Sequence, residues 1–357
     1  MSDPVAGPHI RPPLSLPALM GQVVLATAPA TLFGVWLYGW PAFNLLLITL
    51  ATALAAEALC LRASGRSVRT NLGDGSAFVA GWILAMSLPP WAPWWIGVTG
   101  GLLAVIVGKG IFGGTGQNLF NPAMVARVGL LIAFPVEMTR WVEPAPLGSS
   151  EAPGFLEGLR VTFTGAADWD AISSATTLDA TRAATQEGEP VMSGLPGDYE
   201  PVAALLGFTP GSLAEGSALL LALGGLYLIV RRVIPWEIPL VLLGTLALLS
   251  SIGHLLNPER YTDASVHLLS GSSLLAAFFI ATDPTTSPAT RAGRAVFAAG
   301  CAAVIWVVRT YGGYPEATAF AVLLMNAATP LIDHWIRPRV YGRTRRGLAL
   351  PTEQEPR

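Results

Sequence analysis

Hydrophobic residues occur in long runs along this chain, separated by short polar connections that are often rich in Pro or Gly. A helix needs about 20 mostly apolar residues to cross a hydrocarbon core of about 30 Å. Ten runs approach that length and are predicted to be helices: 21–39, 43–61, 75–89, 93–111, 121–138, 213–230, 235–255, 266–282, 292–309 and 315–336. The pattern therefore predicts an all-α polytopic membrane protein with about ten transmembrane helices.

A long polar stretch in the middle of the chain and a polar tail interrupt this pattern, and together with the Pro-rich N-terminus they give the chain five parts. We predict an N-terminal segment 1–20, a first transmembrane half 21–138, a loop domain 139–212, a second transmembrane half 213–336 and a basic tail 337–357. Each half contains five predicted helices, and an odd number reverses the direction of the second half. Gly75–Pro90 and Gly271–Thr285 also resemble each other in their small residues and prolines. We therefore predict two five-helix inverted repeats, which typically place binding sites at their interface.

The distribution of basic residues predicts the orientation in the membrane. With the N-terminus inside, 15 Lys and Arg residues fall on the cytoplasmic side and 5 on the opposite side. Cytoplasmic loops carry such an excess in membrane proteins. Both termini are therefore predicted to be cytoplasmic, and the loop domain 139–212 to lie outside. The formal net charge of −2 argues against a role in nucleic-acid binding.

Four charged residues lie in or near the predicted spans, where an unpaired charge costs several kcal/mol. Lys109 and Asp333 are close to cytoplasmic ends and are expected to extend toward the membrane surface. Glu57 and Arg127 lie deeper, and we predict that they form either a structural pair or part of an ion path. The two cysteines both fall in apolar runs, which predicts neither a disulfide framework nor an iron–sulfur site.

The loop domain contains a hydroxyl-rich motif that runs from Asp170 to Thr176. It resembles the flavinylation signature Asp-x-x-Ser/Thr-Gly-Ala-Thr, in which the last threonine carries FMN on a phosphoester bond. Asp170, Ser173, Ala175 and Thr176 match that signature. Ser174 stands where glycine is usual, and its Cβ restricts the backbone angles that glycine permits. The alternative interpretation is an ordinary loop of small polar residues.

Further motifs lie in the two transmembrane halves and at the start of the tail. They are Gly113–Met124, Ala281–Pro284, Tyr314–Asn326 and Arg337–Gly342. Together they resemble the family that contains the D subunit of the Rnf ion-translocating electron-transport complex and the B subunit of the sodium-translocating NADH:quinone reductase. The resemblance extends from Pro8 to Gly342. It implies a urea-transporter-like fold, covalent FMN on Thr176, and a second flavin, riboflavin, inside the membrane domain.

Asn118, Asn121 and Asp283 are the candidate residues for that second flavin. Asn118 and Asn121 are three positions apart, so on a helix they project from one face. Each amide offers donors and an acceptor, which suit the polar edge of an isoalloxazine ring. The alternative is that Asn121 only caps the helix that begins at Pro122, and that the preceding glycines form a turn.

The resemblance also implies a function. It predicts a flavoprotein subunit of a redox-driven translocase in the bacterial inner membrane, which couples electron transfer between ferredoxin and NAD to transport of H⁺ or Na⁺. Such a subunit is not active alone, because it requires the other membrane and peripheral subunits and a flavin transferase for its maturation. One alternative is a solute channel or transporter of the same fold, although a channel has no need for an acceptor threonine. Another is a structural scaffold whose flavin site has been lost.

Overall fold

The computed structural model describes residues 15–165, 173–195, 201–312, 314 and 316–338. This part of the chain is mainly helical, with one short two-stranded ribbon. The α-helices are Leu16–Ala63, Val68–Leu72, Ser76–Ser87, Trp94–Leu102, Pro122–Ala133, Pro135–Met138, Phe155–Thr164, Thr177–Glu187, Pro201–Leu206, Ala218–Val230, Glu237–Leu256, Ala264–Leu269, Ser273–Leu275, Arg291–Tyr311 and Thr318–Trp335. Leu103–Gly110 and Ala276–Ile280 are π-helical, Val191–Gly194 is a 3₁₀ turn, and the strands are Trp141–Val142 and Ser173–Ser174.

Three of the described helices are long and apolar enough to cross a membrane, and they are Leu16–Ala63, Glu237–Leu256 and Arg291–Tyr311. Shorter apolar helices occupy Ser76–Ser87, Trp94–Gly110, Pro122–Ala133 and Ala218–Val230. Many large aliphatic side chains on these helices point outward, which suits contact with lipid rather than with water. The prediction of a helical membrane protein is therefore confirmed in kind.

The first helix, Leu16–Ala63, contains the first two predicted spans and is interrupted at Gly39. Gly39 has φ +76° and ψ −159°, a conformation that only glycine adopts without strain. Met20, near the start of this helix, lines the same cavity as Lys109. Glu57, near its end, is hydrogen-bonded to Lys109. The chain therefore reverses at Gly39, and the two halves of this helix form a hairpin.

The predicted spans 121–138 and 266–282 are both interrupted. The first breaks at Phe134, because Pro135 disfavours helical angles in the residue before it. The second breaks between Leu269 and Ser273, where Gly271 has a positive φ of 68°. These breaks were not predicted, because small residues and single prolines are also common within continuous membrane helices.

The loop domain packs against the turn at Gly39, which joins the two halves of the first helix. The backbone amides of Ala145 and Leu147 donate to the carbonyl oxygens of Leu37 and Trp36, at 3.0 and 2.7 Å. The strand Trp141–Val142 pairs antiparallel with Ser173–Ser174, with Trp141 opposite Ser174. Ser173 and Ser174, which precede Thr176, therefore lie on the same side of the molecule as Gly39, away from Glu57 and Lys109.

Candidate functional sites

A cavity at the Glu57 end brings together the three residues predicted to bind the second flavin. Asn118, Asn121 and Asp283 all line this space, which we call the amide cavity. Its remaining walls are mainly apolar and come from both predicted halves of the chain. The amide cavity therefore has the mixed lining that suits a planar aromatic ligand with one polar edge.

The side chain of Asn121 is used largely to begin a helix. Its Oδ1 accepts hydrogen bonds from the backbone amides of Ala123 and Met124, at 3.1 and 3.3 Å. Its Nδ2 donates to the carbonyl oxygen of Ile280 at 3.4 Å. Asn121 is thus the N-cap of Pro122–Ala133, as the alternative interpretation of the motif predicted.

Asn118 differs from Asn121, because its side chain does not cap a helix. The Nδ2 of Asn118 donates to the carbonyl oxygen of Phe120 at 3.1 Å and to the Oγ1 of Thr285 at 3.2 Å. Within the described chain, its Oδ1 has no hydrogen-bond partner. Thr285 in turn donates through its Oγ1 to the carboxylate of Asp283 at 2.8 Å. The Oδ1 of Asn118 is therefore an acceptor that remains available to a ligand. Asp283 holds the Thr285 hydroxyl that accepts the hydrogen bond from Asn118.

A buried ion pair lies beside the amide cavity. The Nζ of Lys109 is 2.8 Å from the Oε1 of Glu57, and the two side chains are 3% and 7% exposed. Lys109 also donates to the Oγ of Ser76 at 2.7 Å. The prediction that Lys109 extends to the membrane surface is wrong, because its charge is satisfied inside the protein. The alternative of a Glu57–Arg127 pair is wrong for the same reason, since Glu57 already pairs with Lys109.

Asp74 and Thr115 extend this ion pair into a larger network. The Oδ2 of Asp74 accepts from the Oγ1 of Thr115 at 2.9 Å, and its Oδ1 accepts from the backbone amide of Ser76 at 2.8 Å. Burial alone would raise the pKa of Asp74, but hydrogen bonds from Ser76 and Thr115 and the charge of Lys109 lower it below its ordinary value. We call Glu57, Asp74, Ser76, Lys109 and Thr115 the Glu57 cluster. Ser76, Lys109 and Thr115 also line the amide cavity.

The remaining charged residues predicted near spans have partners as well. Arg127 forms an ion pair with Glu316, so it does form a structural pair, although with a different partner. Glu316 also accepts a hydrogen bond from the backbone amide of Ser272 at 3.2 Å. Asp333 accepts from the backbone amide of Ala289 at 3.1 Å.

Thr176 is the N-cap of the helix Thr177–Glu187 at the opposite end of the molecule. Its Oγ1 donates to the Oδ2 of Asp179 at 2.7 Å and accepts from the backbone amide of Asp179 at 3.1 Å. Thr176 is half-buried, whereas the residue that carries the next hydroxyl, Thr177, is only 5% exposed. Burial raises the pKa of Asp179, although hydrogen bonds from Thr176 act in the opposite direction. Of the two threonine hydroxyls at this point of the chain, that of Thr176 is therefore the more accessible.

The other residues of the motif are placed only in part. Ser173 lies in the strand that pairs with Trp141–Val142, and Ala175 is exposed between this strand and the helix. Asp170 lies outside the described residues. Ser174 takes part in the strand pairing, so a side chain at this position is compatible with an extended backbone.

Thr176 lines a further cavity, which we call the acceptor cavity. Trp141, Glu215, Gly271 and Glu316 line it as well. The indole Nε1 of Trp141 is buried without a hydrogen-bond partner in the described chain. An unpartnered donor and an aromatic wall beside Thr176 are features that suit a polar aromatic group attached there.

The comparison with known proteins decides the family. The family model described as "NQR2, RnfD, RnfE family" matches residues 5–342. The chain belongs to this family. It is 77% identical over 355 residues to the D subunit of the ion-translocating oxidoreductase complex of Halorhodospira halophila (strain DSM 244 / SL1), with 99% of each chain covered. The family that was predicted from Gly113–Met124, Tyr314–Asn326 and the accompanying motifs is thereby confirmed.

Two further relatives carry the same name. The protein from Stutzerimonas stutzeri is 52% identical over 336 residues, which cover 94% of this chain and 95% of the relative. The protein from Rhodobacter capsulatus is 49% identical over 308 residues, which cover 86% of each chain. The similarity thus spans nearly the whole of this NQR2, RnfD, RnfE family chain.

Sequence reasoning missed two features of these sites. The Glu57 cluster joins residues from several segments, and Glu57 and Lys109 are 52 positions apart, so no local pattern predicts their contact. Asp179 was missed although a signal existed, because Thr176-x-x-Asp179 has the spacing of a helix capping box.

Proposed function

We propose that this protein is the flavin-carrying membrane subunit of an ion-translocating oxidoreductase complex. Its family and the names of its relatives support this role. One observation carries the flavin assignment. The two segments predicted to hold flavins, at Thr176 and at Asn118, lie at opposite ends of one helical body, as a subunit that passes electrons across a membrane requires. It would work only together with the other subunits of the complex.

The first flavin of this proposal is FMN, attached to Thr176 through a phosphoester by a flavin transferase. The Thr176 hydroxyl is oriented by Asp179 and stands at the start of an 11-residue helix. Backbone amides at a helix N-terminus stabilise a phosphate. Beside this hydroxyl, Trp141 supplies an aromatic wall, and Gly271, which has no side chain, allows a ligand to approach the backbone closely. When bound, the flavin supplies one-electron chemistry, while the protein positions it and tunes its surroundings.

The second flavin, riboflavin, would occupy the amide cavity. The free Oδ1 of Asn118 can accept a hydrogen bond from the imide edge of the ring, and Asp283 holds Thr285 beside that amide. Apolar walls from both parts of the chain keep water away from the ring. The ammonium of Lys109 also lines this cavity and would stabilise negative charge that develops nearby.

We further propose a bacterial inner-membrane topology with both termini in the cytoplasm and the segment 139–212 in the periplasm. Ten helices would form two inverted repeats of the urea-transporter type. The excess of basic residues on one side supports this orientation. The likeness between Gly75–Pro90 and Gly271–Thr285 supports the repeat. Reporters fused after Ser150 should behave as external and those after Arg343 as cytoplasmic, and an internal signal at Ser150 would exclude a periplasmic Thr176.

Covalent attachment is tested by co-expression with a flavin transferase and fluorescence of the denatured polypeptide in a gel. Wild type should give a fluorescent band, and Thr176→Ala should abolish it. Thr177→Ala is the matched control and should keep the band, because that hydroxyl is buried. The absence of a band in wild type, or its persistence in Thr176→Ala, contradicts the assignment.

A further inference from the structure

A third cavity lies beside the helix Thr177–Glu187 and has a different chemical character from the other two. We call it the arginine cavity, because Arg182, Arg260 and Arg309 line it. No carboxylate belongs to its lining among the described residues. It is distinct from the acceptor cavity, since the two share only Leu178. A space bounded by three guanidinium groups is electrostatically suited to an anion.

Arg309 is the buried base of this cavity and has no direct ion pair within the described residues. It is 7% exposed, and its two Nη atoms donate to the carbonyl oxygens of His267 and Ser270 at 2.8 and 3.4 Å. Its Nε is buried without a partner in the described chain. Glu215 and Glu316 act on Arg309 through space but line the acceptor cavity, and Glu316 is already paired with Arg127. A buried guanidinium that is bonded to neutral carbonyls favours a nearby anion.

The other arginines of this cavity also form no salt bridge in the part of the chain that the structure describes. The guanidinium of Arg260 lies 5.9 Å from the ring centroid of Tyr261. The hydroxyls of Tyr261 and Tyr311 are 2.8 Å apart, so one of their two protons remains free to donate elsewhere. The lining of this cavity thus combines three positive charges with a tyrosine hydroxyl donor, a combination that suits the recognition of an oxyanion.

The surroundings indicate which oxyanion. The planar fork of arginine matches phosphate with two parallel hydrogen bonds. The preceding helix, Glu237–Leu256, ends in Leu255 and Leu256, which are 82% and 79% exposed and close in sequence to Arg260. An aliphatic surface beside a basic cavity suits an acyl chain attached to a phosphate.

We propose that the arginine cavity binds a phosphate group, supplied by an anionic lipid headgroup or by free phosphate. The ligand would join Arg182, on the helix that follows Thr176, to Arg260 and to Arg309 on the helix Arg291–Tyr311. It would thereby fasten the loop domain to the second transmembrane half. This site does not depend on the presence of either flavin.

The test uses the purified full-length protein and measures its thermal unfolding midpoint. In one arm, inorganic phosphate is titrated at constant ionic strength against chloride. In the other, the protein is placed in phosphatidylcholine nanodiscs with or without phosphatidylglycerol. The double variant Arg182→Gln/Arg260→Gln should bind the stabilising ligand at least about tenfold more weakly, since it loses charge-assisted hydrogen bonds. Arg291→Gln is the control, because Arg291 is 83% exposed and pairs with Glu237 outside the cavity.

The outcomes separate the sources. Stabilisation by phosphate beyond that by chloride supports a free-phosphate site, and stabilisation by phosphatidylglycerol alone assigns the phosphate to a lipid. No response in either arm overturns the proposal, as does an equal loss in Arg291→Gln, which would indicate a general charge effect. If the double variant does not fold, Arg182→Lys/Arg260→Lys keeps the charge but lacks the fork. It should then bind more weakly than wild type in whichever arm responds, and unchanged binding would also overturn the proposal.

Discussion

The Glu57 cluster and the Thr176 site each place a carboxylate beside a hydroxyl, yet the pKa of that carboxylate is shifted in opposite directions at the two places. At the Glu57 end, Asp74 receives hydrogen bonds from Ser76 and Thr115 and the attraction of Lys109, and its pKa is lowered. At the other end, burial dominates and the pKa of Asp179 is raised. The direction of each shift therefore depends on how burial is balanced against hydrogen bonds and nearby charges. The Glu57 end holds a buried ion pair, whereas at the Thr176 end a threonine hydroxyl is hydrogen-bonded to a carboxylate whose charged form burial disfavours.

The largest expected effect concerns the fixed charges at the Glu57 end. Glu57→Gln leaves Lys109 buried without its counter-charge, and breaking a buried pair costs about 3–5 kcal/mol. The double variant Glu57→Gln/Lys109→Met should recover part of this loss, because no unpaired charge remains. The measurement is the free energy of unfolding in mixed micelles. A loss in Glu57→Gln no larger than in Arg291→Gln, which breaks a pair with a well-exposed arginine, would show that the cluster contributes little.

A smaller effect should distinguish the two asparagines of the amide cavity. Asn118→Leu removes the free acceptor, so the extractable flavin per covalent flavin should fall about tenfold, equivalent to about 1.4 kcal/mol. Asn121→Leu removes a helix cap and should lower the stability of the protein by about 1 kcal/mol. The covalent flavin on Thr176 should remain in both variants. If wild type yields no extractable flavin, or if Asn118→Leu leaves the ratio unchanged, Asn118 is not a flavin ligand.

The smallest effect is the pH dependence that follows from the two shifted carboxyl groups. Asp74 has a lowered pKa when folded, so its stabilising contribution is present above the unfolded pKa of about 3.9 and is lost as the pH falls through the folded value. Asp179 has a raised pKa, so its contribution is lost as the pH rises through the folded value. The unfolding midpoint of Asp74→Asn should therefore approach that of wild type in acid. The midpoint of Asp179→Asn, relative to that of wild type, should be highest near neutral pH, where the wild-type carboxyl is least favourable. If the two variants show the same trend with pH, the opposite directions of the two pKa shifts are contradicted.

The sequence predicted the regular parts of the fold well, for physical reasons that individual elements make clear. The predicted spans 235–255 and 292–309 agree closely with Glu237–Leu256 and Arg291–Tyr311, because each is a continuous apolar run. The span 266–282 was predicted as one helix, although Gly271 breaks it. Glycine inside an apolar run does not reveal whether its backbone is helical.

For the candidate sites, the sequence predicted which residues meet but not how each is used. Asn118, Asn121 and Asp283 share one cavity as predicted. Their hydrogen bonds depend on distant partners such as Thr285, 167 positions from Asn118, and such pairings have no local signal. The partners of Glu57 and Arg127 were missed for the same reason.

The turn at Gly39 also determines the direction in which every later helix runs. A straight 48-residue helix would be about 72 Å long, more than twice the thickness of a hydrocarbon core of about 30 Å. By turning back at Gly39, the chain forms two antiparallel helices in place of one rod, and the direction of every later segment is thereby reversed. The separation of the Thr176 hydroxyl from the amide cavity thus begins with the backbone freedom of a single residue that belongs to neither site.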